Sequence, residues 1–214
     1  MRASDFTNEE QLTEIPSSFV NKVVDKTQWG APGTGHKTPP KGQTASVWQH
    51  MSDPTTVVKL VGGGAMKNLK DKHKQAAIAF VDFLVHHGKE SQHLPIVHGI
   101  NVDDPEVVQI KVEALKPFKG YRYEQLAGSL ADLADVPTSP RYQDLVNEHL
   151  KGLGLHKKNS AAGIVKCVML LNKYAKEYSD KYNLDKFVLD LHEGNWMVTN
   201  DGVIVAVDPW FAGW

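Results

Sequence analysis

The run Leu189-Asp190-Leu191-His192-Glu193-Gly194-Asn195, followed downstream by Val207-Asp208-Pro209, decides how the whole chain is read. Asp190 precedes Asn195 by five positions, and Asp208 follows Asn195 by thirteen. Between Asn195 and Asp208 lie two short apolar runs, Trp196 to Thr199 and Val203 to Val207, joined by Asn200-Asp201-Gly202. Asp-Gly between apolar runs is a strong hairpin signal. Two paired strands return the chain to its start, so the hairpin is expected to bring Asp208 back beside Asp190 and Asn195. Two carboxylates and one amide then share one place.

Such a set suits phosphoryl transfer. That chemistry asks for an acid to orient the attacking hydroxyl and for oxygen ligands to a Mg²⁺ that bridges the phosphates. Isolated Asp and Asn residues also favour turns, so the segment taken alone fits a polar hairpin with an Asx-turn before it as well.

The spacing resembles the protein-kinase-like superfamily, where an aspartate and an asparagine stand at the same interval and a second aspartate follows. The version here, Asp190-Leu191-His192, Gly194-Asn195 and then Asp208-Pro209, looks more like atypical kinases and aminoglycoside-type phosphotransferases. It is most similar to the short early serine/threonine kinases of lytic podophages. The resemblance implies Asp190 as catalytic base or hydroxyl-orienting residue, with Asn195 and Asp208 as Mg²⁺ ligands. His192 stands where such kinases carry a lysine; an imidazole there contacts the transferring phosphate or plays a structural part.

Upstream order and spacing agree with that resemblance. Ala45 to Gln49 and Thr55 to Val61 flank a Ser52-Asp53-Pro54 turn and read as a hairpin. Lys59, in Val57-Val58-Lys59, matches the lysine that holds the α- and β-phosphates of ATP. A lone strand lysine otherwise reads as a solvated edge residue. The loop Gly42-Gln43-Thr44-Ala45-Ser46-Val47, with Gly42 and Ser46, would cover the phosphates with backbone N–H groups. It lacks a full glycine-rich repeat and also fits a flexible linker. Glu113-Ala114-Leu115 stands at the hinge, where the main chain of Glu113 and Leu115 would meet adenine.

The remaining elements follow from composition. Residues 71–87 contain no Gly or Pro and read as one largely buried helix ended by Gly88. Leu94 to Ile100 and Val107 to Leu115 read as strands around an Asp103-Asp104-Pro105 turn, with Val108, Ile110 and Val112 on one face. Residues 121–135, 140–150 and 160–180 read as helices, the last capped by Asn159 or Ser160. Residues 29–44, rich in Gly and Pro, read as loop. The expected fold class is α+β: a two-lobed protein-kinase-like fold with a small β-rich N-lobe (42–115), a truncated helical C-lobe (116–214) and an N-terminal extension with loop (1–41).

Four departures from the family stand out. The helix over 71–87 has no glutamate to pair with Lys59; Asp82 is the candidate substitute and Gln75 a weaker, uncharged one. Leu189 replaces the arginine that reads a phosphorylated activation loop, which argues against that switch. His192 replaces the lysine. The chain ends six residues after Asp208, so an activation segment is not expected. Trp210, Phe211 and Trp214 form an aromatic group that packs back on the core or serves as a partner-binding tail.

Bulk properties exclude other classes. Of 214 residues 41% are apolar, enough for a real core, and the net charge of −1 gives no electrostatic case for nucleic acid or an anionic membrane. No apolar run approaches a bilayer span, and the polar, acidic N-terminus is unlike a signal peptide. The single Cys167, among Val165, Val168, Met169 and Leu170, reads as buried and apolar. These features point to a soluble protein of a reducing cytoplasm, the host cytoplasm if phage-encoded. The expected function is an ATP- and Mg²⁺-dependent phosphotransferase, a serine/threonine protein kinase acting on host proteins. The alternatives are a pseudokinase-like binding or inhibitor protein and a small-molecule kinase of aminoglycoside-phosphotransferase type. A chain this short could complete its cleft as a homodimer.

Overall fold

The structure, a computed structural model, describes residues 29–30, 45–62, 71–104, 107–184 and 187–212. They divide into two compact units, one within Met1–His87 and Ile96–Ala114, the other within Gly88–Pro95 and Leu115–Trp214. The architecture is mixed, with small antiparallel sheets and helices in succession.

In the first unit, β1 (Trp29–Gly30), β2 (Ala45–His50), β3 (Thr56–Gly62), β4 (Val97–Asp104) and β5 (Val107–Glu113) form one sheet in the order β1-β2-β3-β5-β4. Asp53 makes the β2–β3 turn by its own chemistry. Its Oδ1 accepts from the Thr55 amide at 3.0 Å and the Thr55 hydroxyl at 2.6 Å, and its Oδ2 accepts from the Thr56 hydroxyl at 2.5 Å. The helix α1 (Asp71–His87) packs on β3 and buries Ala76, Ala79, Phe80, Val81, Phe83 and Leu84.

Register explains Lys59. Directly opposed residues of an antiparallel pair share a face. Lys59 lies opposite Ile110 on β5 and Val47 on β2, between Val57 and Val61 on its own strand. Val57, Val61, Val108, Ile110 and Val112 are all buried. The lysine is therefore half-buried on an apolar face of the central strand, not on a solvated edge.

Four boundaries differ from the sequence reading. Trp29–Gly30 is a strand paired to Gln49 and His50, where loop was expected, while 31–44 lie outside the described residues. Ser46 and Val47 belong to β2 rather than to a phosphate-covering loop, and the Ser46 hydroxyl accepts from the Trp48 indole at 3.2 Å. The strand expected at Leu94 begins at Val97. Pro95 has no N–H to give a ladder, and residues 88–95 belong to the second unit. Asp103 and Asp104 lie in β4 rather than in a turn, and Pro105 is outside the described residues.

The second unit holds β6 (Lys116–Pro117), the helices α2 (Tyr121–Asp135), α3 (Pro140–Gly152) and α4 (Ala161–Lys181), then β7 (Phe187–Leu189), β8 (Trp196–Val198), β9 (Ile204–Ala206) and β10 (Trp210–Ala212). Helical periodicity builds its core. Leu126, Leu130 and Leu133 of α2 and Ile164, Cys167, Val168, Leu171, Ala175 and Tyr178 of α4 are buried at spacings of three and four. Ser160 caps α4, accepting from the Gly163 amide at 3.1 Å. Burial pushes the Cys167 thiol up to about 12, so it packs as an apolar residue and is no nucleophile. Among the described residues no helix is long and apolar enough to cross a membrane.

The Asp53 turn carries a pH signature. Hydrogen bonds from Thr55 and Thr56 lower its carboxyl from 3.8 to about 2. A carboxyl whose folded pKa is depressed stabilises above its unfolded value and loses that contribution as pH falls through the folded value. Asp53→Asn is therefore expected to lower stability most above about pH 4, with the gap to wild type closing toward about pH 2. Urea denaturation of both proteins across that range checks it; a gap constant with pH would contradict it.

Candidate active site

The second unit brings Asp190, Asn195 and Asp208 together through backbone geometry. Strands β7 and β10 pair antiparallel, Leu189 opposite Trp210 and Phe187 opposite Ala212. The Asp190 amide donates to the Pro209 carbonyl at 2.8 Å. Within the loop, β8 and β9 pair with Trp196 opposite Ala206, and the Val207 amide donates to the Asn195 carbonyl at 2.8 Å. The expected hairpin thus returns the chain as its Asp-Gly turn predicts, and Gly202 takes the positive φ of 91° that the turn requires. The outer pair β7–β10, absent from the sequence reading, closes the loop a second time.

Asn195 ties the two aspartates. Its Nδ2 donates to the Asp190 carbonyl at 2.5 Å and to the Asp208 carbonyl at 3.3 Å. Carbonyls only accept, so the NH₂ end of the amide must face them. Oδ1 is left on the opposite side as a hard oxygen donor. Asp208 itself sits at φ 48°, in the left-handed region, immediately before a proline, which disfavours helical backbone in the residue preceding it. Both facts mark a backbone held in place by its surroundings, as occurs at functional sites.

His192 is fixed as well. Its Nδ1 accepts from the Gly194 amide at 3.0 Å, capping the short 3₁₀ turn Glu193–Asn195. An accepting Nδ1 leaves the proton of the neutral ring on Nε2, which lies 4.0 Å from Asp190 Oδ2. A Cβ on Gly194 would sit 2.8 Å from His192 Cε1, so this approach needs glycine. Asp190 and His192 both keep substantial side-chain exposure, and Trp196 anchors the loop by donating from Nε1 to the Leu191 carbonyl at 3.2 Å.

The other expected site residues lie in or beside the first unit. Asp82 is fully buried in α1, with Oδ1 3.0 Å from His86 Nδ1, whereas Gln75 is exposed. The Glu113 amide donates to the Ile96 carbonyl at 3.3 Å and the Ala114 amide to the Thr55 carbonyl at 2.8 Å. Those two N–H groups serve the sheet and its turn. Leu115 is the first residue of the second unit's longer segment. Gly42 and Trp214 are outside the described residues. Trp210 is buried, stacked on Phe187 at 5.4 Å and against Tyr178 at 5.6 Å; this part of the aromatic group packs on the core.

Among the described residues no group of three or more His, Cys, Asp or Glu could hold a metal ion. Mg²⁺ does not need one, since it is commonly held by one or two protein oxygens together with waters and substrate phosphates. The Asn195 amide oxygen and the Asp208 carboxylate are hard oxygen donors by chemistry.

No protein-family model matches the chain, and no curated protein matches it. Among solved structures the chain is similar to WbdD in co-crystal with the kinase inhibitor LY294002, with a TM-score of 0.37 and 13% sequence identity over 78% of this chain. The match covers 30% of that chain.

The Asn195 clamp makes a counterintuitive substitution informative. Asn195→Asp adds a carboxylate, ordinarily the better Mg²⁺ ligand, but removes both N–H donors and sets negative oxygen against two carbonyls. We expect it to lower fold stability by about 1–3 kcal/mol and to weaken any Mg²⁺ binding rather than strengthen it. Urea denaturation with and without Mg²⁺ checks both parts; a variant of equal stability and tighter Mg²⁺ affinity would show that the amide donors are not needed.

Strain at Asp208 gives a second expectation. Glycine adopts positive φ freely, while alanine pays about 1–2 kcal/mol there. Asp208→Gly should leave the ligand-free chain at least as stable as Asp208→Ala by about 1 kcal/mol, with Mg²⁺-dependent nucleotide binding lost in both. Equal stability of the two variants would mean that this φ is not held in solution.

Proposed function

We propose that the chain binds ATP with Mg²⁺ and transfers a phosphoryl group to a hydroxyl, in the finest reading that of a serine or threonine on a protein. The bridging amide of Asn195 carries this reading. A turn-forming asparagine needs only its own neighbours, whereas this one spans thirteen positions to tie the backbone of two aspartates together.

Each residue then has a defined task. Asp190 orients the acceptor hydroxyl and takes its proton as the phosphorus–oxygen bond forms, while ADP leaves with its own oxygen. His192, holding its proton on Nε2, donates toward the transferring phosphate. Asn195 Oδ1 and Asp208 would hold Mg²⁺, which neutralises charge on the phosphates when bound. Lys59, an ammonium placed among valines and isoleucine, is the residue proposed to grip the α- and β-phosphates. In its finer form the reading extends to a two-lobed kinase arrangement and to host proteins as acceptors.

A binding protein without transfer is favoured by one feature. Helix α1 carries no glutamate, and its buried acid, Asp82, faces His86. The two readings separate at Asp190. Asp190→Asn keeps size and hydrogen-bonding shape but removes the proton acceptor, and general-base contributions are about 10²–10⁴ in rate. Purified wild type and variant are incubated with labelled ATP and Mg²⁺, with a cell lysate and with small hydroxyl acceptors. Wild type should label an acceptor, and the variant should bind ATP equally yet transfer about 10²-fold less or worse. ATP binding without transfer in wild type would leave the binder, and absence of both would remove the nucleotide from the reading.

A further inference from the structure

Strand β9 delivers Asp208, yet it is only three residues long and pairs with a strand of three. A one-residue slip in so short a pair would turn every side chain to the other face. Val205 and Val207 direct their backbone groups inward, toward β8 and Asn195, so Ile204 and Ala206 direct theirs outward. Among the described residues no strand lies there, and two residues from distant parts of the unit take its place. Asn159, 4% exposed, accepts the Ile204 amide on Oδ1 at 2.8 Å. Its Nδ2 donates to the Leu155 and Gly202 carbonyls, each at 2.8 Å. His93, 1% exposed, is 2.8 Å from the Ile204 carbonyl through Nδ1, and its own carbonyl accepts the Ala206 amide at 2.9 Å.

The His93 ring has one tautomer that satisfies both sides. A carbonyl at Nδ1 requires the proton there, and Nε2 then accepts from Gln92 Nε2 at 3.4 Å. Burial lowers its pKa and keeps the ring neutral. Space for it comes from Gly163 in the first turn of α4, where a Cβ would lie 2.9 Å from His93 Nε2.

We propose that His93 and Asn159 are positioning residues that stand in for a missing strand, fix the register of β9 and so set the place of Asp208. Their importance to metal binding rests on the reading of Asp208 as a Mg²⁺ ligand; their hold on β9 does not. The test uses the full chain as wild type, His93→Leu, His93→Asn and Gly163→Ala. Amide hydrogen exchange at Ile204 and Ala206, read by NMR without ligand, reports the register. Calorimetry of ATP with and without Mg²⁺ reports the site.

His93→Leu keeps bulk and loses the donor, so exchange at both amides should rise about three- to tenfold and Mg²⁺-dependent ATP affinity should fall by a similar factor. His93→Asn, whose Nδ2 falls near the place of the imidazole Nδ1, should restore both. Gly163→Ala carries the test if His93→Leu does not fold. The added Cβ presses on the His93 ring at 2.9 Å and on the Ser160 cap at 3.3 Å, so the informative readout is local exchange at β9 rather than overall stability. Faster exchange at Ile204 and Ala206 in Gly163→Ala supports the proposal. Unchanged exchange there, in a folded variant, overturns it. If wild type binds no ATP while exchange still responds to Gly163→Ala, the phosphotransferase reading falls and the hold on β9 stands.

Discussion

One amide organises the second unit's loop. Asn195 Nδ2 bridges the carbonyls of Asp190 and Asp208, and few side chains could replace it. Aspartate has no donor, serine has one donor on a shorter stem, and glutamine adds a rotatable bond to be frozen. Asparagine offers two donors on one nitrogen and an oxygen held opposite by the planar amide. The same contact that closes the loop therefore aims a metal-type ligand. Position and chemistry come from a single side chain, which is why its two carbonyl partners belong to the two residues expected to act.

That closure has to hold a strained residue. Left-handed backbone costs a non-glycine residue about 1–2 kcal/mol, somewhat less for aspartate, whose short polar side chain tolerates it. Against this stand the Asp190–Pro209 and Val207–Asn195 backbone bonds, the Asn195 bridge, and the packing of Trp210 stacked on Phe187 and tilted against Tyr178. Each hydrogen bond contributes about 0.5–1.5 kcal/mol net and each aromatic pair a similar amount. The surroundings exceed the strain, so Asp208 is preset rather than recruited on binding. A preset geometry avoids reorganisation when charge develops, which is the main advantage a phosphoryl-transfer site can draw from its fold.

What the sequence made legible was local. Asp-Gly between apolar runs announced β8 and β9, residues 121–135 read as the helix that is α2, and Ser52-Asp53-Pro54 announced the β2–β3 turn. The Asp190, Asn195 and Asp208 cluster followed from the hairpin alone. Long-range pairings of very short segments were not legible. Nothing in Phe187-Val188-Leu189 says that it pairs with Trp210-Phe211-Ala212, because a three-residue strand has no periodicity to read. Ser46 fell both in the strand read over Ala45 to Gln49 and in a loop suggested by the glycine upstream, and register with Leu60 puts it in β2. Asn159 was legible only as a candidate helix cap, a place that Ser160 takes, and His93 carried no signal. A buried polar residue whose key bonds reach distant backbone, as both do at Ile204, looks in sequence like any other His or Asn.

Lys59 shows how position can point to a role where identity cannot. Its strand neighbours Val57 and Val61 and its opposite number Ile110 are buried, and β-branched apolar residues suit such a face best. On packing alone a valine or isoleucine at 59 would be preferred, since a half-buried ammonium sacrifices hydration that an apolar side chain never had. A lysine at the centre of the sheet is therefore hard to explain as a contributor to the core. Its apolar stem can lie along the flanking valines while the ammonium reaches a polar or charged partner. The reasoning mirrors that for Asp208. In both, the residue is poorly suited to its local structure, by side-chain polarity in one and by backbone conformation in the other, and such departures from local rules concentrate at functional or strained sites.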